Sequence, residues 1–312
     1  MPEDAQSVLF VDLSDLRQSP FFADLLAWAP HPEADPEYHQ FVRDTGFDYE
    51  KDLERVAFAF ESQGGQQIFF AVADGHFDQK KIKAYAAKNG ALQNQGGAEI
   101  YSLPMAGSSS RVSFKFLNRG RIVLTNNPDL SSLLQKIHRV NNVESAGWQT
   151  RFERVAGAPI FAVIRAEGLK AIFGPPAASQ DFARRATGGL VSPQLALLAQ
   201  LQWLTVAGKP ENNQLRVVAD GESLEDSNAR QLEDLLNGIV LLAHAGLSAP
   251  KTQQQIGATT RQSYLELLKS IDVSRIDRGE TKSVRLMFTV APDLLKTAQI
   301  PAVPAGSKNP SH

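Results

Sequence analysis

Histidine and carboxylate side chains gather in one short segment near the start of the chain. Residues 31–39 contain two imidazoles, His31 and His39, with three carboxylates between them. Mixed nitrogen and oxygen ligands of this kind can hold a divalent metal ion. However, no His-x-x-x-His spacing fixes two ligands on one helix face, and two prolines stiffen the segment. A charged surface loop is the simpler interpretation, so His31 and His39 are weak metal candidates and no cofactor is expected.

Other carboxylates have spacings that resemble functional sites but also have simpler structural explanations. Residues 48–54 alternate acidic side chains as a calcium loop does, yet they lack the central glycine and the late bidentate glutamate of such a loop. Asp48 is instead predicted to cap a short helix. Asp74 and Asp220, each followed by glycine, could pair for acid–base chemistry, but Asp-Gly also suits a strand-to-helix turn. We therefore expect a backbone role for both.

The chain contains no motif for a nucleophile or a nucleotide. The serines of residues 107–110 lie outside any G-x-S-x-G pattern, and no histidine can be assigned to them. There is no Gly-Lys-Ser/Thr sequence for a phosphate loop and no cysteine for a thiolate zinc site. His138 and His244 fall within apolar helical stripes, where ordinary helix residues are expected. No catalytic residue is predicted.

Composition limits the classes of partner. The chain has 312 residues, of which 43% are hydrophobic, so it can bury a sizeable core and is long enough for two domains. Its 32 basic and 34 acidic residues give a net charge of −2 without a basic block, which argues against nucleic acid as the main partner. No apolar segment reaches the roughly 20 residues needed to cross a bilayer. We expect no transmembrane segment.

Two short sequences recur in the same order and indicate an internal duplication. Val-Ala-Asp-Gly occurs at residues 72–75 and again at 218–221, each time after two apolar strands and before a helix. Pro-Asp-Leu then occurs at residues 128–130 and again at 292–294. The shared pattern of elements is β-α-β-β-α-β. Each half of the chain is therefore predicted to be a version of one unit.

This pattern predicts an α+β protein made of two related lobes. Each lobe is expected to be a split β-α-β-β-α-β (ferredoxin-like) antiparallel sheet with helices on one face, and the second lobe has extra inserted helices. The predicted boundaries are 1–145 for the first lobe and 146–300 for the second, with a disordered, proline-rich tail at 301–312. The first hairpin is apolar on both faces, so we expect another element or a partner to cover it.

Basic side chains on the last strand of each lobe are the candidates for a ligand-binding face. Arg111 and Lys115 in the first half alternate away from the core, as does Arg285 in the second. An antiparallel sheet often leaves one face in water, so a solvated polar face is the alternative interpretation.

A segment of the first half carries a resemblance to a family. Residues 45–56 read T-G-F-D-Y-E-K-D-L-E-R-V and precede a hairpin, and residues 75–78 read G-H-F-D before a helix. This resembles uncharacterised exported bacterial proteins, which have T-G-x-D-x-x-x-D-(I/L)-x-x-V before a strand and G-x-F-(D/N) before a helix. The resemblance implies a periplasmic or extracellular location after signal removal, and the start of the first strand soon after Met1 fits this. It supplies no catalytic residues.

The leading hypothesis is a non-enzymatic, exported binding or protein-interaction module of unknown partner, for which an oligomer is possible. The alternative is a protein that binds a small molecule or peptide in the cleft between the two lobes. A hydrolase ranks only third, because the sequence shows no nucleophile–base pair and no set of metal ligands.

Overall fold

The fold is α+β and its strands belong to an antiparallel sheet. The computed structural model describes residues 4–29, 36–63, 66–95, 98–104, 110–131, 133–134, 142–173, 193–279 and 281–297. The strands are β1 (Ser7–Asp12), β2 (Leu53–Gln63), β3 (Gln66–Gly75), β4 (Ala91–Gln95), β5 (Ala98–Pro104), β6 (Arg111–Asn118), β7 (Arg121–Thr125), β8 (Ile160–Arg165), β9 (Trp203–Glu211), β10 (Gln214–Ser223), β11 (Asp272–Asp277) and β12 (Lys282–Val290).

Helices connect and cover these strands. They are α1 (Leu13–Leu16), α2 (Phe21–Trp28), α3 (Pro36–Thr45), α4 (Tyr49–Asp52), α5 (Gln79–Asn89), α6 (Asn142–Val155), α7 (Ala166–Phe173), α8 (Asp226–Ser248), α9 (Pro250–Gln255), α10 (Ala258–Ser270) and α11 (Pro292–Thr297), with a 3₁₀ helix at Pro193–Gln200. None of the helices in these ranges combines the length and the apolar character needed to cross a membrane.

Both halves of the chain contribute to the same sheet. Within the described residues its strand order is β11-β12-β10-β9-β8-β1-β2-β3-β7-β6-β5-β4. The halves meet where β1 pairs antiparallel with β8, and there Phe10 stacks on Phe161 with ring centroids 4.9 Å apart. The boundary predicted between residues 145 and 146 lies inside α6, so a helix occupies the expected linker. The lobes do not form separate sheets.

The strand order differs from the predicted ferredoxin-like arrangement. In a split βαβ unit another strand lies between the first two strands, which run parallel. Here β1 is hydrogen-bonded directly to β2 and runs antiparallel to it. After β1 the chain forms short helices and then enters the sheet again beside the end of β1. For this reason β2 runs back along β1 in the opposite direction. Each half is therefore built from antiparallel neighbours, as the α+β assignment requires.

Helices cover both faces of the sheet, not one face as predicted. We call face I the side that carries Val8, Ala59 and Val163, against which Trp148 and Val155 of α6 pack. We call the other side face II. There, near β12, Ala229 and Leu232 of α8 pack against Val284. Residues of one strand alternate between the faces, so each apolar strand needs two coverings.

The first hairpin is covered on both sides, as its apolar sequence predicts. On face I, Ala59 of β2 lies in the cluster formed with α6. On face II, Val56 packs into a cluster that contains Ala73 and the α5 residues Ile82 and Ala86. The first-half helices and α6 thus supply the covering that the sequence requires.

We predict that Gly75→Ala destabilises the fold by about 1 to 3 kcal/mol, because the added methyl group overpacks a site that has no room for it. A Cβ built on Gly75 would lie 2.3 Å from the backbone oxygen of Asp52, which cannot swing away as a side chain can. Urea unfolding monitored by circular dichroism measures the loss. Gly120→Ala is the control, since its Cβ would meet only the oxygen of Gly75, at 3.4 Å. Equal stability of the two variants would contradict this explanation.

Candidate functional site

An open cleft lies on face I in the second half of the chain. The cover that α6 provides ends at Val155, and beyond it the strands β9, β10 and β12 continue with polar side chains. The cleft has a volume of about 360 Å³. Its charged lining residues are Arg154, Lys209, Glu211, Arg216, Asp220 and Arg285, and its apolar ones include Val155, Ala207, Val218 and Met287.

The register of the sheet explains why this floor is polar. Val8, Val163, Thr205, Asp220 and Arg285 are direct neighbours across five adjacent strands, so they form one row on face I. The row is apolar under α6 and becomes polar where the helix ends. The cleft is therefore a part of face I that α6 does not cover.

Asp220 lies on the floor of the cleft and pairs with two arginines, of which Arg285 also lines the cleft. Its side chain is almost fully buried. Arg285 donates from Nε and Nη2 to the two carboxylate oxygens at 2.7 and 2.8 Å, and Arg278 donates from Nη2 at 2.8 Å. The bonds to Asp220 raise the pKa of the Arg285 guanidinium above its usual value. Bidentate pairs of this kind fix the guanidinium plane.

Glu222, two residues further along β10, holds two more arginines. Its side chain is completely buried, and Arg151 Nη2 and Arg154 Nη1 lie 2.5 Å from its two oxygens. The guanidinium of Arg151 also lies over the ring of Trp203, 4.7 Å from its centroid, in a cation–π contact. The two acids thus fix four arginines, of which Arg154 and Arg285 line the cleft.

Lys209 and Arg216 place two positive charges side by side in the same cleft. They are direct cross-strand partners on β9 and β10, and both are exposed. Arg216 lies 3.7 Å from Glu211, a loose surface ion pair. Lys209 makes no ion pair with any residue of the described ranges. Like charges directly opposite each other destabilise an antiparallel pair, so the folded protein gains nothing from this arrangement.

The first half contains a matching Asp–Arg pair. Asp74 of β3 and Arg121 of β7 are cross-strand partners, and Arg121 donates to both Asp74 oxygens at 2.6 and 2.9 Å. Asp220 and Arg285 have the same relation. From the sequence, the two aspartates and Arg285 were candidates, but Arg121 and the pairing of each aspartate with an arginine were missed. The signal was present, because Arg121 and Arg285 each stand seven residues before a Pro-Asp-Leu sequence.

The structure separates the three predicted ligand-face residues. Arg285 lines the cleft, while Arg111 and Lys115 lie on β6, also on face I. Eight strand steps separate β12 from β6. At roughly 4.8 Å per step this is about 40 Å along the sheet. Arg111 instead donates to the backbone oxygen of Ser102 at 2.9 Å. The three residues therefore do not form one site.

The metal and acid–base candidates are not brought together. His31 lies outside the described residues, as do residues 105–109 of the serine-rich turn and the tail from 301, while His39 lies in α3. Among the described side chains, no group of three or more histidine, aspartate or glutamate residues could hold a metal ion. Asp74 and Asp220 are five strand steps apart. They cannot act on one substrate group.

The segment that carries the family resemblance has a structural role in this chain. Gly46 adopts a left-handed conformation, with φ of +73°, just after α3. Asp48 accepts a hydrogen bond from the Glu50 backbone at 3.0 Å, which is the predicted helix cap. Asp52 accepts one from the Asp48 backbone at 2.7 Å. The segment turns the chain from α3 through α4 into β2.

Comparisons with known proteins leave the function open. No protein-family model matches the chain, and no curated protein matches it. Solved structures of TP0453 are similar to it: crystal form III has 11% identity over 94% of this chain and 93% of that one, with a TM-score of 0.47. Crystal form IV has 10% identity over 95% and 93%, also with 0.47. Function must therefore be argued from the side chains.

We expect Glu222→Gln to destabilise the protein by about 3 kcal/mol, because it leaves the Arg151 and Arg154 charges largely buried without their partner. The free energy of unfolding in urea at neutral pH measures the effect. Glu211→Gln changes the charge equally at the exposed rim of the same cleft and should cost below about 1 kcal/mol. Similar losses for the two variants would show that the buried cluster is not a stabilising centre.

The Asp74–Arg121 pair predicts a pH dependence of stability. The hydrogen bond from Arg121 lowers the pKa of Asp74. A lowered pKa adds stability above the carboxylate's unfolded pKa of about 4, and this is lost as pH falls through the folded value. Asp74→Asn should therefore reduce the free energy of unfolding at pH 7 by about 1 kcal/mol at most, since Arg121 is 47% exposed. The difference from wild type should shrink by pH 2, and a constant difference would refute this origin.

Proposed function

We propose that this protein is a non-enzymatic binding protein that takes a negatively charged ligand in the face I cleft of its second half. The observation that carries the proposal is the pairing of Lys209 with Arg216 across β9 and β10. A carboxylate or phosphate group between the two side chains would turn their repulsion into attraction. The ligand thereby supplies a counter-charge to Lys209, which has no ion pair among the described residues.

The surrounding charges favour the same ligand. The charged residues that line the cleft are the four bases Arg154, Lys209, Arg216 and Arg285 and the two acids Glu211 and Asp220, so bases outnumber acids there. The chain as a whole has a net charge of −2, so this positive surface is local. The acids keep the arginines fixed before a ligand arrives, which lowers the entropy lost on binding.

The shape of the cleft indicates what accompanies the anionic group. A volume of about 360 Å³ lies within the range of small-molecule sites. Val218 and Met287 supply an apolar part of the floor next to the charges. The ligand class is therefore an organic acid, or the acidic side chain and neighbouring backbone of a peptide, with an apolar portion of a few carbon atoms.

We also propose that the two halves are duplicated copies of one unit and that only the second acquired this site. Ala59 and Phe70 of the first half are cross-strand partners at the positions that correspond to Lys209 and Arg216. Both are buried. The surface covered with apolar packing in one half is thus open and charged in the other. This difference between the two halves supports a ligand-binding role for Lys209 and Arg216 more than a role in the folding that both halves share.

The position of the cleft differs from that in the hypothesis of a ligand-binding site between the two lobes. At the junction of the halves on face I, Trp148 and Val155 fill the space against Val8 and Val163. The proposed site lies beside these packed side chains, within the second half.

The resemblance to exported bacterial proteins supports a periplasmic or extracellular location for the protein. Fractionation of host cells with an antibody against the protein tests that location, and recovery in the cytoplasm would contradict it.

Calorimetric titration of the full chain with hexaglutamate, citrate and inorganic phosphate tests the proposed function. We expect at least one anion to bind and Lys209→Glu/Arg216→Glu to weaken it by about tenfold or more, because the double change reverses the charges that meet the ligand. Hexalysine should not bind the wild-type cleft.

Matched controls separate the cleft from general charge. Lys88→Glu changes one exposed lysine on α5 in the first half and should leave anion affinity unchanged. Lys209→Glu alone should weaken it. If the wild-type chain bound none of the three anions, or if Lys88→Glu weakened binding as much as Lys209→Glu, the proposal would be wrong.

A further inference from the structure

The register of the sheet sorts the floor of the cleft into rows of side chains. Three successive rows cross β9, β10 and β12 on face I: Thr205–Asp220–Arg285, Ala207–Val218–Met287 and Lys209–Arg216–Thr289. The two outer rows contain basic side chains, whereas the middle row is apolar throughout. Arg216 and Asp220 are four residues apart on β10, so the outer rows are separated by roughly 13 Å along the strands. The cleft therefore has two basic ends and an apolar centre.

The end of the cleft at Asp220 keeps a surplus of positive charge. Asp220 and Glu222 each pair with two arginines, so neither acid neutralises its partners. Of these arginines, Arg154 and Arg285 line the cleft. Arg285 donates from Nε and Nη2 to Asp220, and its Nη1 has no hydrogen-bond partner among the described residues. A ligand carboxylate can therefore accept a hydrogen bond from Arg285 without displacing Asp220.

The opposite end, at Lys209 and Arg216, keeps a surplus as well. Glu211 is the acid that lines the cleft there, against these two bases. Its contact with Arg216 is 3.7 Å long, and the two side chains are 41% and 50% exposed. An exposed pair of this kind contributes little free energy, so a ligand can compete with it. Each end of the cleft thus retains positive charge for one carboxylate.

We propose that the ligand of the cleft is an α,ω-dicarboxylate, an acid with one carboxylate at each end of an apolar carbon chain. This inference rests on the proposed function, because it specifies which anion the cleft binds. One carboxylate lies between Lys209 and Arg216, and the other accepts from Arg285. The carbon chain between them crosses the apolar row at Val218 and Met287.

Acids with a single charged end satisfy this arrangement less well. A monocarboxylate that binds at Lys209 and Arg216 would lay its apolar end against Asp220 and Arg285, which removes those charged groups from water without a new partner. A small inorganic anion would occupy one basic end and leave the apolar row in water. A dicarboxylate pairs with both ends and covers the row between them.

The row spacing sets the length of the acid. Its two carboxylates must lie inside the two basic rows, so they are closer together than roughly 13 Å. A span of roughly 5 to 9 Å between the carboxyl carbons leaves room for the basic groups at both ends, and an extended carbon chain covers about 1.3 Å per bond. These values correspond to acids from glutarate to suberate in length.

Calorimetric titration of the full chain with glutarate, suberate, dodecanedioate and octanoate tests the inference. Suberate and octanoate have carbon chains of equal length, so they differ only in the second carboxylate. Suberate should bind about tenfold or more tightly than octanoate, because its second contact is intramolecular. Dodecanedioate should bind more weakly than suberate, since its longer chain cannot lie extended between the two basic rows.

Variants assign the two parts of the ligand to the two kinds of row. Lys209→Gln/Arg216→Gln should reduce the advantage of suberate over octanoate to about onefold, because one basic end is then lost to both acids. Lys88→Gln, on α5 in the first half, is the control for charge and should leave that ratio unchanged.

The apolar row is tested by a change of one group. Val218→Thr replaces a methyl group with a hydroxyl and should weaken suberate binding by about threefold to fivefold. Val217→Thr makes the same substitution at the neighbouring position, which points to face II, and should leave the affinity unchanged. Equal losses in the two variants would show that the ligand does not cross the apolar row.

The outcomes distinguish this inference from the proposed function. If octanoate bound as tightly as suberate, or if affinity still rose from suberate to dodecanedioate, the inference would be wrong. The same holds if citrate or phosphate bound and no dicarboxylate of the series did, although the anion cleft would then stand. If none of these anions bound, both the inference and the proposed function would fail.

Discussion

The structure depends on the antiparallel pairing of β1 with β8. This pairing joins the two halves into a common sheet and fixes which side chains share a face. The alternation of side chains between the two faces is kept from β8 through its neighbours β9, β10 and β12. Val163 and Asp220 therefore lie in one row on the same face, although one side chain is apolar and the other is charged. The helix α6 covers the apolar end of that row and stops before the polar end. The position of the cleft therefore follows from sheet register, without a specialised loop.

Buried acids organise the polar end of this row. A carboxylate removed from water is costly unless it is paired, and Asp220 and Glu222 are each paired with two arginines. The arginines offset that desolvation cost, and because basic residues outnumber acidic ones in the lining, the cleft keeps a net positive charge. In the first half Asp74 also has two arginine partners, Arg121 and Arg55, but their side chains are 47% and 51% exposed. The same Asp–Arg pair thus serves as a sheet contact in one half and as part of a charged floor in the other.

The sequence predicted the elements that carry strong local signals. The capping by Asp48 and the two hairpins were predictable from turn chemistry and apolar sequence patterns. The edge strands β4 and β11 were missed, because edge strands are short and polar and so lack the apolar alternation of central ones. Gly90 ends α5 with φ of −140°, outside the left-handed region. It is glycine because a Cβ would lie 2.0 Å from the Ser102 oxygen, a tertiary contact that no local pattern reveals.

The cleft and the long helix α8 lie on opposite sides of the sheet. Inward-facing residues of α8 pack on face II against Val284, whereas the cleft opens on face I around Arg285, the next residue of β12. Adjacent residues of one strand point to opposite faces, so β12 supplies an apolar contact to α8 on one face and a charged residue to the cleft on the other. Packing of the helix and access to the cleft therefore do not compete for the same surface of the strand.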